Sequence, residues 1–209
     1  MKFINFNNAG SSFTFSKTNK KIINFLKIEE NLGGYYAETL YKEKLNKFYD
    51  NISKLINSGK KEISFIPNST YGWNLLLNSL EIKKNQNVII FENEYGSNHI
   101  ALLRNKVKIR VSSIEPNGQI SIKNLLKNIN ENTKAVFLCH IASQNGNIIS
   151  IEKVSRILRK TFPEILIIID ACQSIGQVPL DVKKINCDAL VGSGRKYLRG
   201  PRGTGFIFI

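Results

Sequence analysis

The stretch GSGRKYLRGPRGTG, residues 192–205, follows a short apolar segment at residues 189–191 and runs into a second one. It places one lysine, Lys196, in a glycine-rich loop beside a hydroxyl group and arginines. Glycines let the backbone approach a ligand closely, and Ser193 and Arg195 are side chains that bind anions such as phosphate. The loop alone is compatible with a solvated turn, with a plain phosphate site, or with a lysine that forms a Schiff base to a carbonyl compound.

A carboxylate upstream narrows these alternatives. Residues 165–169, ILIII, are continuously apolar and are followed by Asp170, which predicts a strand buried on both faces of a parallel sheet. Ligands bind at the carboxyl ends of such strands, and a buried carboxylate there requires a partner. The pyridinium nitrogen of pyridoxal 5'-phosphate (PLP) is such a partner, and a lysine holds this cofactor. Asp170 and Lys196 therefore predict a PLP site with a Lys196 Schiff base.

Three segments carry a family resemblance: DACQ at 170–173, SGRK at 193–196 and GPRGTG at 200–205. Together they resemble the class V aminotransferases, PLP enzymes of fold type I that include cysteine desulfurases, isopenicillin N epimerase-like proteins and hercynylcysteine sulfoxide lyases. The lysine loop is more similar to the epimerase and sulfoxide-lyase branch, because desulfurases typically carry histidine where this chain has Arg195. The resemblance implies an α/β fold, the large domain of a fold type I PLP-transferase.

A second phosphate-binding element is predicted at residues 68–74, NSTYGWN, between a strand that Pro67 ends and an apolar helix. A helix N-terminus offers free backbone N–H groups and the positive end of the helix dipole. Ser69 or Thr70 is equally suited to capping the helix, which is the commoner role. The resemblance implies that both residues bind the cofactor phosphate, together with the Ser193 and Arg195 of the lysine loop.

The segment EYGSN, residues 94–98, follows another predicted strand. In the family this loop carries an aromatic residue that stacks on the cofactor ring, and a match to the desulfurase form puts Gly96 at that position. The departure weighs against a desulfurase, in which the histidine there takes part in proton transfer. We predict that the neighbouring residue, Tyr95, contacts the cofactor. The alternative is that Tyr95 is a loop residue without a role in binding.

Three further positions follow from the resemblance. Ser143 falls where family members have a polar residue near the cofactor ring hydroxyl or the substrate, and Gln173 matches a residue that hydrogen-bonds the ring oxygen. The turn at residues 7–10, NNAG, resembles a loop near the substrate, although Asn and Gly favour turns in any case. His140, at a strand end, is interpreted as a core histidine and not as a catalytic residue.

The rest of the chain alternates strand-like and helix-like segments. Apolar runs or alternation predict strands, which lie at residues 62–66, 87–91, 107–111, 133–140, 165–170 and around the lysine loop. Helical periodicity follows in between, for example at residues 45–55, 122–129 and 154–158. This order predicts one domain with a mainly parallel sheet flanked by helices on both faces.

The net charge of +14 invites a nucleic-acid interpretation, but its distribution does not favour one. The lysines are scattered over the chain in single residues and short doublets, without a long basic run. We therefore expect a compositional bias and no nucleic-acid partner. Hydrophobic residues at 42% and charged residues at 22% are ordinary for a soluble globular protein.

The cysteines and histidines do not predict a disulfide framework or a metal site. Cys139, Cys172 and Cys187 are an odd number, widely spaced and in apolar surroundings, and the two histidines are far apart in sequence. The sequence also lacks a membrane-length apolar run and a secretory signal at its start. We expect a cytoplasmic protein.

The chain ends at Ile209, at about half the usual length of the family. The resemblance implies that residues 1–209 are an incomplete PLP-binding large domain without the C-terminal small domain. That region supplies the substrate-carboxylate arginine and, in desulfurases, the nucleophilic cysteine, and the active sites lie at a homodimer interface.

The expected function is that of a PLP-dependent enzyme acting on an amino acid through C–S lyase or epimerase chemistry. The alternatives are a cysteine desulfurase, or a truncated non-catalytic protein or basic nucleic-acid binder on the same scaffold.

Overall fold

In the computed structural model, which describes residues 4–209, seven strands form one mixed sheet in the order β1-β7-β6-β5-β4-β2-β3. The first three residues, part of the N-terminal segment considered for a secretory signal, lie outside the described range. The strands are β1 (Ile63–Ile66), β2 (Asn87–Phe91), β3 (Lys108–Ser112), β4 (Thr133–Cys139), β5 (Leu166–Asp170), β6 (Ala189–Ser193) and β7 (Gly205–Phe208).

Seven α-helices accompany this sheet within residues 4–209. They are α1 (Ser16–Leu32), α2 (Gly34–Ile56), α3 (Ser69–Ser79), α4 (Gly96–Arg104), α5 (Ile122–Asn128), α6 (Ile151–Thr161) and α7 (Val182–Ile185), and a short 3-10 turn, Lys60–Glu62, leads into β1.

The helices cover both faces of the sheet, as the alternating sequence pattern predicts. On one face Ile56 of α2, Leu125 of α5 and Leu158 of α6 pack with the strands in one core cluster. On the other face Trp73 of α3 and Leu102 of α4 belong to a second cluster. The central strands β4, β5 and β6 contribute to both clusters, which explains why their sequences are continuously apolar instead of alternating.

The strand directions bring the chemically interesting residues to one edge of the sheet. β2, β4, β5 and β6 are parallel, and Cys139 of β4 pairs in register with Asp170 of β5. β1 runs the same way as β6, because both are antiparallel to β7, which lies between them. The loops after β1, β2, β4, β5 and β6 therefore leave from the same edge.

The structure adds three features to the predicted mainly parallel sheet. β7 pairs antiparallel with β6, because the lysine loop joins the two strands directly and a short connection cannot make the crossover that a parallel pair requires. Helix α1 is not predicted from the sequence, and α2 begins at Gly34, well before the helical periodicity at residues 45–55. No residue of α1 is buried against the rest of residues 4–209, so the helix carries only a weak core signal in its sequence.

Candidate active site

Four loops converge on one small cavity at the carboxyl edge of the sheet. The cavity contains all the predicted site residues except Ser143 and Gln173, and its lining is Ser69, Thr70, Tyr95, Asn98, Asp170, Cys172, Ser193, Arg195 and Lys196. A larger cavity lies around His140 and the N-terminus of α6, but its lining contains neither this carboxylate nor this lysine. The structure thus brings together residues that the sequence scatters from position 69 to position 196.

Asp170 is held rigidly at the end of β5 and is only 4% exposed. One carboxylate oxygen, Oδ1, accepts a hydrogen bond from the backbone N–H of Cys172 at 2.9 Å. The other, Oδ2, accepts one from the Asn98 side-chain amide at 2.9 Å. Each oxygen retains acceptor capacity, so a further donor in the cavity can bind this carboxylate.

Lys196 is 7% exposed, and within residues 4–209 it forms no ion pair with a carboxylate. Its Nζ atom lies 5.7 Å from the centroid of the Tyr95 ring. Just before the lysine loop, Gly192 of β6 packs closely on β7, since a side chain there would overlap the ring of Phe206. A glycine at that position lets the Phe206 ring lie against the backbone of β6.

The anion-binding end of the cavity is formed by the first turn of α3 and by the start of the lysine loop. Asn68, and not Ser69 or Thr70, caps α3, because the Asn68 side chain accepts a hydrogen bond from the backbone N–H of Tyr71 at 2.9 Å. The hydroxyl groups of Ser69 and Thr70 are thus not used for capping. Ser193 faces the same space and accepts a long hydrogen bond, 3.5 Å, from Arg195.

Tyr95 is placed at the rim of the cavity by its position just before α4. It is the N-cap residue of that helix, its backbone is extended, and its side chain is 39% exposed. The next residue, Gly96, begins the helix in open surroundings, because a side chain added there would meet no atom within 4 Å. In this chain the tyrosine lines the cavity, and a Cβ at the next position would meet open space.

Glu94 and Asn98 join the site although sequence reasoning assigned them no role. The Asn98 amide donates to Glu94 Oε1 and to Asp170 Oδ2, both at 2.9 Å, and Glu94 Oε1 also accepts from the Tyr95 N–H at 2.9 Å. Burial, and after it the charge of Asp170, raises the pKa of Glu94 to about 7. Glu94 lies in the loop between β2 and α4, and the available signal was a pair of polar residues, four apart, directly after a buried strand.

Ser143 and Gln173 lie beside the cluster in a neighbouring cavity that also contains Tyr197. The Gln173 amide donates to the Ala9 carbonyl at 3.2 Å, and its Oε1 atom is buried without a partner within residues 4–209. Ser143 bonds only its neighbour Gln144, at 3.4 Å. Both residues thus line the neighbouring cavity and not the one that holds Asp170 and Lys196.

The N-terminal turn packs against the lysine loop. Arg195 donates from Nε to the Gly10 carbonyl at 3.2 Å, and the Arg195 carbonyl accepts from the Ser12 N–H at 3.0 Å. Asn8 lies in a separate cleft, which Tyr197 also lines. Gly10 thus contacts a predicted site residue directly, whereas Asn8 does not.

His140 and the cysteines are buried and electrically neutral. Burial lowers the pKa of His140 to about 4, and its Nδ1 atom has no partner among the described residues. The three cysteines are free thiols, and burial raises the pKa of Cys139 and of Cys172 far above the usual range and that of Cys187 to about 12. A thiol with a raised pKa is a poor nucleophile.

Residues 4–209 hold no group of three or more histidine, cysteine, aspartate or glutamate side chains arranged to bind a metal. None of the helices in that range is both long enough and apolar enough to cross a membrane.

Sequence comparisons connect this site to a known family. The family model for aminotransferase class V matches residues 4–209. The cysteine desulfurase SufS of Plasmodium falciparum is 32% identical, over 98% of this chain and 44% of that protein. The cysteine desulfurase IscS of Buchnera aphidicola (subspecies Acyrthosiphon pisum) is 31% identical, over 91% of this chain and 49% of that protein.

Solved structures share the fold. A NifS-like protein superposes with a TM-score of 0.85 at 23% identity, over 97% of this chain and 57% of that chain. A C-DES mutant with glycine covalently linked to its PLP cofactor gives a TM-score of 0.87 at 17% identity, over 97% and 55%. These likenesses confirm the predicted fold type I large domain.

The chain spans about half the length of the curated relatives it matches. Several of these relatives are cysteine desulfurases, so the comparisons favour that alternative over the epimerase and sulfoxide-lyase branch to which the lysine loop is more similar. The predicted family and its PLP dependence are confirmed. The match over nearly the whole chain, together with the site geometry, shows that this chain belongs to the class V aminotransferase family of PLP-dependent enzymes.

Proposed function

We propose that this chain is the cofactor-binding part of a PLP-dependent enzyme that breaks the C–S bond of an amino acid, and that cysteine is the substrate. The single observation that carries the proposal is the shared cavity of Asp170 and Lys196, both more than nine-tenths buried, beside the first turn of α3. The similarity to cysteine desulfurases supports the choice of substrate.

The residues present fit the three functional ends of PLP. Asp170 is a buried carboxylate with acceptor capacity left, which suits a protonated ring nitrogen. Lys196 supplies the amine for the aldehyde carbon. Ser69, Thr70 and Ser193 surround the helix N-terminus together with Arg195, which suits the phosphate. Tyr95 at the rim offers a ring to stack on, and we propose Gln173 and Ser143 as flanking contacts.

The chain's own residues would then have distinct roles. Bound PLP supplies an electron sink for a carbanion at the substrate Cα. The Asp170 carboxylate would accept from a protonated ring nitrogen and favour that form. Lys196 would hold the cofactor, and its amine, when free, would move the proton at the substrate Cα as a general acid and base.

The sulfur acceptor of a desulfurase must be a reactive thiol, and the cysteines of this chain do not suit that role. Cys139, Cys172 and Cys187 are buried and their pKa values are raised. We therefore propose that the accepting thiol lies outside these residues. A homodimer, a cytoplasmic location and the absence of a nucleic-acid partner are further parts of the proposal for the whole protein.

A second candidate is a C–S lyase or epimerase that needs no sulfur-accepting thiol. Gly96 in place of the stacking histidine and Arg195 in place of the histidine before the lysine favour it. The products separate the two functions: a desulfurase converts cysteine and a thiol to alanine and a persulfide, whereas a lyase releases sulfide, ammonia and pyruvate. An epimerase changes only the configuration at Cα.

The decisive experiment is a titration of the purified chain with PLP, followed by its visible absorption, borohydride reduction and peptide mass mapping. We expect a band and an adduct on Lys196, both absent in Lys196→Ala and retained in the matched control Lys184→Ala, whose side chain is exposed. Adducts spread over surface lysines, in this chain and in a C-terminally extended version, would contradict the proposal. Product analysis with cysteine then decides between the desulfurase and the second candidate.

A further inference from the structure

A buried polar cluster extends behind Asp170, away from the cavity. The Asn98 side-chain amide has two hydrogens, and it donates one to Glu94 Oε1 and the other to Asp170 Oδ2. Asn98 is 2% exposed and Glu94 is 8% exposed, so water does not replace these bonds. The amide therefore links two carboxyl groups that come from different elements, the loop before α4 and the end of β5.

The two oxygens of Glu94 are used unequally. Oε1 accepts two hydrogen bonds, from the Asn98 amide and from the Tyr95 N–H, whereas Oε2 is buried and has no partner among the described residues. An ionised carboxylate needs donors on both oxygens when it is buried, and a bare anionic oxygen there is costly. A neutral acid fits this pattern better: its carbonyl oxygen accepts the two bonds, and an unpartnered hydroxyl at Oε2 costs less than an unpartnered anionic oxygen.

We propose that Glu94 and Asn98 are positioning residues for Asp170: Glu94 is held as a neutral acid, and the Asn98 amide thereby orients Asp170 as the single negative charge of the cluster. The inference rests on the proposed function insofar as Asp170 faces the cofactor ring. The claim that Glu94 is a neutral acid concerns this chain alone and does not depend on a cofactor.

The groups around Glu94 are consistent with a neutral acid. Asp170 faces it from β5 through the Asn98 amide, and Cys139 faces it from β4 as a neutral thiol. Within residues 4–209 no lysine or arginine forms an ion pair with Glu94. Burial and the neighbouring Asp170 charge raise the pKa of Glu94 to about 7. Two ionised carboxylates sharing one amide would repel each other without compensation.

The first test measures unfolding by denaturant from pH 5 to pH 8, for the wild-type chain without PLP and for Glu94→Gln. The pKa of Glu94 is higher in the folded chain, about 7, than the ordinary 4.5 of the unfolded one, so the folded chain retains a proton that the unfolded chain releases. This contribution to stability is complete below pH 4.5 and is lost as the pH rises through 7. Relative to the variant, the wild-type unfolding constant should therefore increase about 70-fold between pH 5 and pH 8, out of about 300-fold for the whole titration.

The variant keeps the shape and the Oε1 acceptor of the acid but cannot ionise, and it shares with the wild type every other titrating group. A ratio of unfolding constants that stays constant from pH 5 to pH 8 would show that Glu94 does not hold a proton in the folded chain, and it would overturn the inference. A ratio that changes in the opposite direction would overturn it as well.

The second test measures PLP affinity in Asn98→Ala, with Asn105→Ala on the same helix as the control. Loss of the hydrogen bond to a charged group should weaken PLP binding about 10- to 100-fold and shift the pH midpoint of its visible band, with neither change in the control. A variant that only unfolds at a lower temperature, with unchanged affinity and midpoint, would reduce Asn98 to a structural role. Failure of the wild type to bind PLP would instead refute the proposed function, while the first test would still decide the state of Glu94.

Discussion

The carboxyl edge of the sheet and the N-terminal helix pair α1–α2 use their side chains differently. At the edge, Asp170 and Lys196 are polar and nevertheless almost completely buried. In α1 the situation is reversed, since Ile23 and Leu26 are apolar and about half exposed, at 52% and 54%. The edge is fixed by hydrogen bonds and by packing from both faces of the sheet. The α1 helix packs mainly on α2, with Phe25 and Tyr41 in an edge-to-face ring contact.

The two regions differ in how strictly the structure constrains which residues they contain. Polar groups are retained in the interior only when other polar groups satisfy them, so the edge specifies its partners closely. The exposed apolar side chains of α1 do not need hydrogen-bond partners, so they constrain their neighbours less. Substitutions in the two regions should therefore change the free energy of unfolding by different amounts.

The largest effect is expected from leucine-to-alanine substitutions on the two sides of the comparison. Leu158 of α6 is completely buried, and Leu158→Ala should lower the free energy of unfolding by about 2–5 kcal/mol because it leaves a cavity. Leu26→Ala in α1 should change it by less than about 0.5 kcal/mol. Denaturant unfolding of both variants measures the difference. Equal losses of unfolding free energy would show that Leu26 is buried in solution and would contradict the prediction.

A smaller effect is expected from acid. The pKa of the buried His140 is lowered to about 4, from 6.5 in the unfolded chain, so the unfolded chain binds a proton that the folded chain refuses. Its contribution to stability is present above pH 6.5 and is lost as the pH falls through 4, by up to about 3 kcal/mol. His140→Asn should flatten the stability curve over this range in comparison with the wild type. An unchanged slope would mean that the imidazole titrates normally.

The smallest effect concerns the rim of the cavity. Tyr95→Ala should weaken PLP binding by up to about 10-fold, because it removes a ring that lines the cavity and that we propose stacks on the cofactor. Gly96→His places a ring in the open space beside it and should strengthen PLP binding in the Tyr95→Ala background by a similar factor. Titration of the visible band measures both affinities. Tyr95→Ala with wild-type affinity would show that the tyrosine is only a loop residue.

Much of the fold follows from local sequence patterns. The apolar run before Asp170 predicts β5, because a strand buried on both faces must be apolar at every position. The pattern is silent about α1, whose residues are not buried in the described chain, and it does not give the direction of β7, which depends on the length of the loop before it. Neither the presence of α1 nor the direction of β7 is encoded in the residues of that element alone.

The candidate site divides in the same way. Lys196 and Asp170 are recognisable in the sequence because each stands in a distinctive local context, a glycine-rich loop and the end of an apolar strand. The Asn98 amide is 72 residues from Asp170 in sequence, and the Cys172 thiol is 103 residues from the Ser69 hydroxyl that it contacts at 2.8 Å. Such partners become neighbours only when parallel strands end at one edge of the sheet.

The family, the fold class and the two residues proposed to carry the chemistry could thus be recognised from the sequence, since each is encoded in a contiguous segment. The tertiary structure was needed to show that Asn68 caps α3, that Ser143 and Gln173 line a neighbouring cavity, and that the Asn98 amide links Glu94 to Asp170. The physical reason is that a buried polar group must find its partner in space, and the loops that supply partners are brought together by the sheet and not by the order of the chain.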